Sequence, residues 1–271
     1  MFAQQDQLDW NVVSRPLVAV GVNGELLTVP GKVAQVRDDN DSIIGITGKD
    51  YTIFQNSDLK DIVSPLVEEG LLEINNIGYL KGGSKVFIQA QMTEEYRAAG
   101  DAHRGSITLL NAHDGTAALA AGVTATRVIC TNTFTTAMSE MGTRFRHNSA
   151  IHDNAANITA IVEFVNENMR IYSEAADKLA LTTATDEMVD SVIEAAYNKP
   201  IESVRAANKI KQFYRYGIQT EGKTLYDAFN AVTQYTNHNA VKDDGKRLGS
   251  VTFGRNANVN RRALDAALAL V

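Results

Sequence analysis

The sequence predicts an α+β protein, with an antiparallel, hairpin-rich sheet in its first half and helices in its second. Three observations carry this. Gly82-Gly83 and Asp114-Gly115 each separate a pair of β-rich runs, as hairpin turns do. From Ile151 to Leu179, apolar residues recur at alternating spacings of four and three, the period of a helix. The regular alternation of strands and helices that marks a doubly wound sheet is missing. Residues 1–148 therefore read as the β-rich part and 149–271 as the helical part, packed as one domain.

In chain order, GKVAQVRD and SIIGITG read as extended, and Tyr51 to Phe54 as a short β-type run. Ser57 or Asp58 can cap a helix running through Val67, with Pro65 near its last turn and Gly70 ending it. LLEINNIGYLK and SKVFIQAQM form the first hairpin. GSITLLNA and AALAAGVTATRVIC form the second, and two hairpins in succession imply a meander.

The apolar series Ile151, Ala155, Ile158, Val162, Val165, Met169, Tyr172, Ala176, Leu179 predicts a long helix, a strut of about 45 Å at 1.5 Å per residue. Its stripe can pack on the chain's own sheet or serve as a heptad seam between subunits. Further helices are predicted over Asp186 to Tyr197, Ile201 to Tyr216, Thr224 to Thr236 and Asn260 to Leu270. The stretch Asn237 to Asn258 reads as a loop or a small hairpin at Asp244-Gly245.

With 271 residues, 44% of them hydrophobic, the chain has ample core-forming material. No apolar run is long enough to span a membrane, and the first residues lack the layout of a signal peptide. Its one cysteine, Cys130, excludes an internal disulfide and fits a reducing compartment, so the expected address is the cytoplasm. The net charge of −6 hides an uneven distribution. Residues 149–198 carry two basic and nine acidic side chains, whereas 199–262 carry twelve basic and five acidic. These blocks can neutralise one another as helical neighbours, or the basic one can face a polyanion.

The stretch Thr124 to His147 gathers Arg127, Arg144, Arg146, His147 and Asn132 where the sheet-forming half gives way to the helical half. Arginines there can hold the junction together or grip phosphate bidentately. Lys209, Lys211 and Arg215 interleave with Phe213, Tyr214 and Tyr216, a pattern suited to single-stranded nucleic acid, with Phe213 on the apolar stripe. Arg261 and Arg262 fall at the predicted start of the last helix, where Asn258 or Asn260 as cap would complete an anion site.

Other chemistry is poorly served. Gly217 to Thr224 formally matches a phosphate loop, but a charged helix-like run precedes it where a buried strand is required. Helix ends with Thr224 as cap explain it better. Five scattered histidines and one cysteine predict no metal site. Cys130 lies in an apolar run, as a buried inert thiol does. No cofactor and no catalytic residues are predicted.

The ordered motifs GKDYTIFQNSDL, LKGGSKVFIQAQM, HDGT, TRVICTNT, RFRH and TLYDAFNAVTQYTNH resemble a family of phage- and plasmid-encoded proteins grouped as domain of unknown function 932. The resemblance runs from about Trp10 to the C-terminus and implies a mobile-element setting without a chemistry. Hairpins followed by a long helix are also similar in architecture to phage single-strand annealing proteins of the Red beta and Erf type, an analogy of fold alone.

The leading expectation is a non-catalytic protein that binds single-stranded DNA through Arg127, Asn132, Arg144, Arg146, His147, Lys209, Lys211, Arg215, Arg261 and Arg262. It would act in strand annealing or recombination as a homo-oligomer. The alternatives are a non-enzymatic phage interaction or assembly protein, and an enzyme using the Thr/Asn-rich TATRVICTNT stretch.

Overall fold

A computed structural model describes residues 5–127, 133–135, 144–145, 147, 159–218, 220–242, 247, 250–251 and 254–271. The chain is α+β as expected, with antiparallel sheets first and helices after. It forms two compact units that interleave along the sequence. The first comprises Met1–Thr93, Ile107–Ala121 and Gly142–Val162. The second comprises Glu94–Ser106, Gly122–Met141 and Glu163–Val271.

The strands are β1 (Val12–Val20), β2 (Leu26–Arg37), β3 (Ile43–Gly48), β4 (Leu72–Leu80), β5 (Lys85–Met92), β6 (Tyr96–Ala98), β7 (Asp101–Ala112), β8 (Leu119–Arg127), β9 (Thr133–Thr135) and β10 (Arg144–Phe145). Strands β1-β2-β3 make one sheet; the other runs β10-β8-β7-β5-β4, with β6 on β7 and β9 on β8. Both predicted hairpins are present as β4–β5 and β7–β8. Around the first turn Lys81, Gly82 and Gly83 all take positive φ. A Cβ on Gly83 would lie 3.1 Å from the Trp10 ring and 3.2 Å from Arg37 Cδ, so glycine is needed for close approach as well as for the turn.

Helix α1 (Asn56–Glu68) buries Leu59, Ile62, Val63 and Leu66, one apolar stripe. Its cap is Gln55, ahead of the predicted Ser57 or Asp58. Asp58 instead serves as the third residue of the first turn and accepts from Gln55 N at 2.7 Å. The Gln55 amide meanwhile exchanges two 2.9 Å bonds with the main chain of Val12. Pro65 is accommodated inside the last turn, and Gly70 at φ 74° ends the helix. Residues 51–54, expected to be β-type, form no strand. The carbonyls of Thr52 and Phe54 accept from side chains elsewhere in the chain, described below.

In the second unit, α2 (Thr159–Leu181) buries Val165, Met169, Tyr172, Ala176 and Leu179. The start expected from Ile151 lies outside the described residues. A Cβ on Gly105 of β7 would sit 2.8 Å from both Met169 Cγ and Val165 Cγ1, so the helix rests on its own chain's strand. Tyr172 and Tyr226 hydroxyls each lie 3.2 Å from buried His103 Nε2. From Val165 to Leu179 the stripe is therefore covered within this chain and is not a seam open to a second subunit.

Helices α3 (Asp186–Tyr197), α4 (Ala207–Tyr216), α5 (Leu225–His238) and α6 (Arg255–Leu268) complete the unit, with α5 buried nearly all round. The segment expected as one helix from Ile201 divides into a 3-10 turn at Ile201–Ser203 and α4. Thr224 caps α5 in a reciprocal box: its Oγ1 accepts from Asp227 N at 3.1 Å, and Asp227 Oδ2 accepts from Thr224 N at 3.1 Å. The phosphate-loop match is thus a helix-to-helix turn, with α4 before it and Lys223 paired to Glu221 at 2.7 Å.

Helix α6 starts five residues ahead of the predicted Asn260, with Gly254 as its cap. The expected caps, Asn258 and Asn260, both lie inside the helix, Asn258 exposed and Asn260 facing inward with Asn256. Asn256 donates to Thr236 O at 3.2 Å, and Asn260 accepts from Thr236 Oγ1 at 2.7 Å.

Two substitutions test this packing. Gly105→Ala should overpack the β7–α2 contact and lower stability by about 1–3 kcal/mol. Thr224→Ala should cost about 1 kcal/mol through the lost cap. Urea unfolding should show both losses; an unchanged midpoint in Gly105→Ala contradicts the close approach.

Candidate functional site

The predicted site residues fall into three sets. Arg127 ends β8, and Arg144 of β10 pairs with Ala120 of β8, but the side chains of both arginines, and the whole of Asn132 and Arg146, lie outside the described residues. His147 is described, and its ring turns into the first unit. Nδ1 donates to Thr52 O at 3.1 Å, and the ring stacks on Tyr51 with centroids 4.7 Å apart. It holds its own chain, and burial lowers its affinity for a proton.

The second set is on α4. Ala207, Ile210 and Tyr214 are buried, which turns Lys209, Gln212, Arg215 and Tyr216 outward. The core ring is therefore Tyr214, while Phe213 is half-buried, a correction to the expected stripe. Tyr216 is 81% exposed, and Lys209 Nζ lies 4.8 Å above the Phe213 ring. Two cations of this helix meet acids of α3: Lys211 pairs with Asp190 at 2.6 Å and Arg215 with Asp186 at 3.7 Å. The acidic and basic blocks of the sequence do neutralise one another here.

The third set is corrected by the early start of α6. Arg261 and Arg262 lie mid-helix, so they do not flank a helix start. Arg262 Nε and Nη2 donate to Ala196 O at 2.9 and 2.6 Å, which satisfies an orphan carbonyl in the last turn of α3. This is a structural arginine. Arg261 is half-buried.

A second constellation went unread in the sequence. In the first unit, residues 51–56 run without a strand partner, and side chains complete their hydrogen bonds. Asn111 Nδ2 donates to Phe54 O at 2.8 Å, and Tyr51 Oη donates to Ala112 O at 2.7 Å. Asn56 Nδ2 donates to Trp10 O at 2.8 Å, which aims its Oδ1 at His113, 3.0 Å from Nε2. That fixes Nε2 as the protonated nitrogen of His113. His113 Nδ1 and His147 Nε2 are buried without hydrogen-bond partners among the described residues.

Burial, and then the nearby His147, push the His113 pKa down to about 4. A neutral imidazole with no solvent exposure braces the fold rather than meeting a substrate. No group of three or more His, Cys, Asp or Glu among the described residues could hold a metal. Beside this cluster, Trp10, Tyr79, Arg37, Asp39, Gln7 and Asp9 line a cleft of about 410 Å³. Its one cation, Arg37, lies 4.2 Å from the Trp10 ring centroid and is bonded to Asp39 at 2.9 and 2.6 Å. With its guanidinium so engaged, the cleft has no free cation to offer an anion. The sequence did hold one signal: Tyr51, Asn56, His113 and His147 come from three of the motifs that carry the family resemblance.

The pKa of His113 makes stability depend on pH. Its folded value lies below its unfolded 6.5, so the unfolded chain binds more protons between the two. Stability should be intact above about pH 6.5 and fall by up to about 3 kcal/mol as pH drops to 4. Urea unfolding at both pH values should show this loss shrinking in His113→Asn; an equal loss in the variant assigns the effect elsewhere.

No helix among the described residues is long and apolar enough to cross a membrane. The model of the family described as Domain of unknown function (DUF932) matches residues 43–266. No curated protein and no solved structure matches the chain.

Proposed function

Given that the chain belongs to the domain of unknown function 932 family, whose name assigns no chemistry, we propose that it binds single-stranded DNA on the outward face of α4. The observation that carries this reading is the exposed Tyr216 ring on the same helix as Lys209, Phe213 and Arg215. A ring on the surface beside cations suits an unpaired base, which stacks for about 1–3 kcal/mol while lysine or arginine tracks the phosphates. The pairs Lys211–Asp190 and Arg215–Asp186 are partly exposed, a class worth about 0–1 kcal/mol, so a phosphate can displace the acids.

No bond is made or broken in this function. Affinity comes from counterion release and stacking, and strand annealing or recombination follows from holding bases extended. Arg127, Arg144 and Arg146 would add phosphate contacts. Arg262 and His147 are withdrawn from the site by their main-chain partners.

Fluorescence anisotropy with a labelled oligothymidine should show binding that falls with salt. Tyr216→Ala/Lys209→Ala should bind about tenfold or more weakly, and its salt slope should drop by about 0.7 for the lost lysine. Melting should be unchanged, since both side chains point outward. Absence of binding by the wild-type chain at low salt, or binding indifferent to salt, refutes the reading.

A further inference from the structure

The first strand pair extends well past the sheet that anchors it. β1 and β2 pair up to Val20 and Leu26, but β3 covers β2 only from Lys32 to Val36. Between Pro16 and Gly31 the chain is thus a two-stranded arm. Its turn is held by Gly21 N donating to Glu25 O at 2.8 Å, with Gly24 at φ 84°. The register sets Val18 opposite Thr28 and Val20 opposite Leu26, so Val18, Val20 and Leu26 share one face. They are 46%, 73% and 70% exposed, and Val22 at the tip is wholly so. On the other face Leu27 is 51% exposed.

We propose that this arm is a self-association surface, and that its occupant is the same arm of a second copy, paired antiparallel through the free edges of β1. Three features select that occupant. From Pro16 to Gly31 the one ionisable side chain is Glu25, and its Oε2 accepts from Asn23 N at 3.0 Å. The arm therefore offers no positive charge to a phosphate, a lipid headgroup or an acidic peptide, and its one carboxylate is engaged in its own turn, so an apolar, strand-forming partner complements it.

Strand count points the same way. An isolated two-stranded hairpin is marginal in water, while three or more strands with an apolar face are stable. Two arms joined at β1 give four strands and one continuous Val18-Val20-Leu26 face. β1 is terminal in its sheet, and beyond Pro16, where its register with β2 shifts, Leu17–Val20 carries neither lysine nor proline to guard the edge. Pairing through β1 is two-fold and uses up that edge in both copies, while Pro30 interrupts the other free edge, on β2, so association ends at a dimer. Residues Leu17–Val29 supply roughly half the residues of a standard interface, which places the dimer among the weak, concentration-dependent ones.

Sedimentation velocity over a concentration series tests this. The full chain should pass from monomer to dimer in the tens to hundreds of micromolar. Val20→Lys should weaken association by about tenfold or more with unchanged melting, because the side chain is exposed and a lysine on an edge opposes pairing. A wild-type chain that stays monomeric throughout overturns the proposal. So does a dimer indifferent to Val20→Lys, or an open-ended aggregate in place of a dimer.

Discussion

Residues 51–56 lie inside the first unit without a neighbouring strand, and the rest of that unit is arranged to make this possible. Buried carbonyls and amides must find partners, because an orphan costs about 1–3 kcal/mol. Here the partners are side chains from distant parts of the chain: Asn111 for Phe54 O, His147 for Thr52 O, and the Gln55 amide against Val12. The network ties the β7–β8 turn, the residues before α2 and the approach to β1 to the start of α1. It also fixes the tautomer of His113, since Asn56, anchored on Trp10 O, presents an acceptor to Nε2, while burial and the nearby His147 keep the ring neutral.

Charge is handled differently in the second unit. The acidic block preceding residue 199 and the basic block following it meet across α3 and α4, as the totals allowed. Pairing alone would leave no site. What sets α4 apart is that its inward stripe consumes Tyr214 and leaves Tyr216 outside, beside cations held only by weak surface pairs. A side chain such as Arg262, fixed by two bonds to one carbonyl, is not available in the same way. Distinguishing the two kinds of arginine needs the fold; the sequence shows only that both are basic.

The fold was legible where a single periodicity or turn signal decides the outcome. The hairpins at Gly82-Gly83 and Asp114-Gly115, the stripe from Val165 to Leu179 and the Thr224 cap all have local causes. Misreadings arose where polar residues serve a distant partner. Asn258 and Asn260 look like caps but lie inside α6, where Asn260 bonds to Thr236, and this hid the true start of the helix. Tyr51 to Phe54 look like a strand because their composition is β-rich, yet nothing local says whether a strand or a set of side chains will pair with them. The β1–β2 hairpin is masked in the sequence although Asn23-Gly24 signals its turn, because Pro16 and Pro30 interrupt the flanking runs. Of the site, the α4 cluster was legible; the His113–Asn56 cluster joins residues 57 apart and was not.

Two apolar stripes make the same point about assembly. The heptad series on α2 has the look of a subunit seam, but periodicity reports only that one face is apolar, and Gly105 lets β7 cover it. The β1–β2 arm has no comparable period, yet its apolar face is left uncovered. Self-association through the arm and strand binding on α4 would then obey different physics. Ionic contacts to phosphate weaken as salt rises, while apolar burial does not. A weak site on one subunit gains from a second subunit on the same strand, since the second contact forms at high effective concentration. A chain with an overall charge of −6 has reason to use that route, because modest local attraction repeated along a strand offsets repulsion from the rest of the molecule.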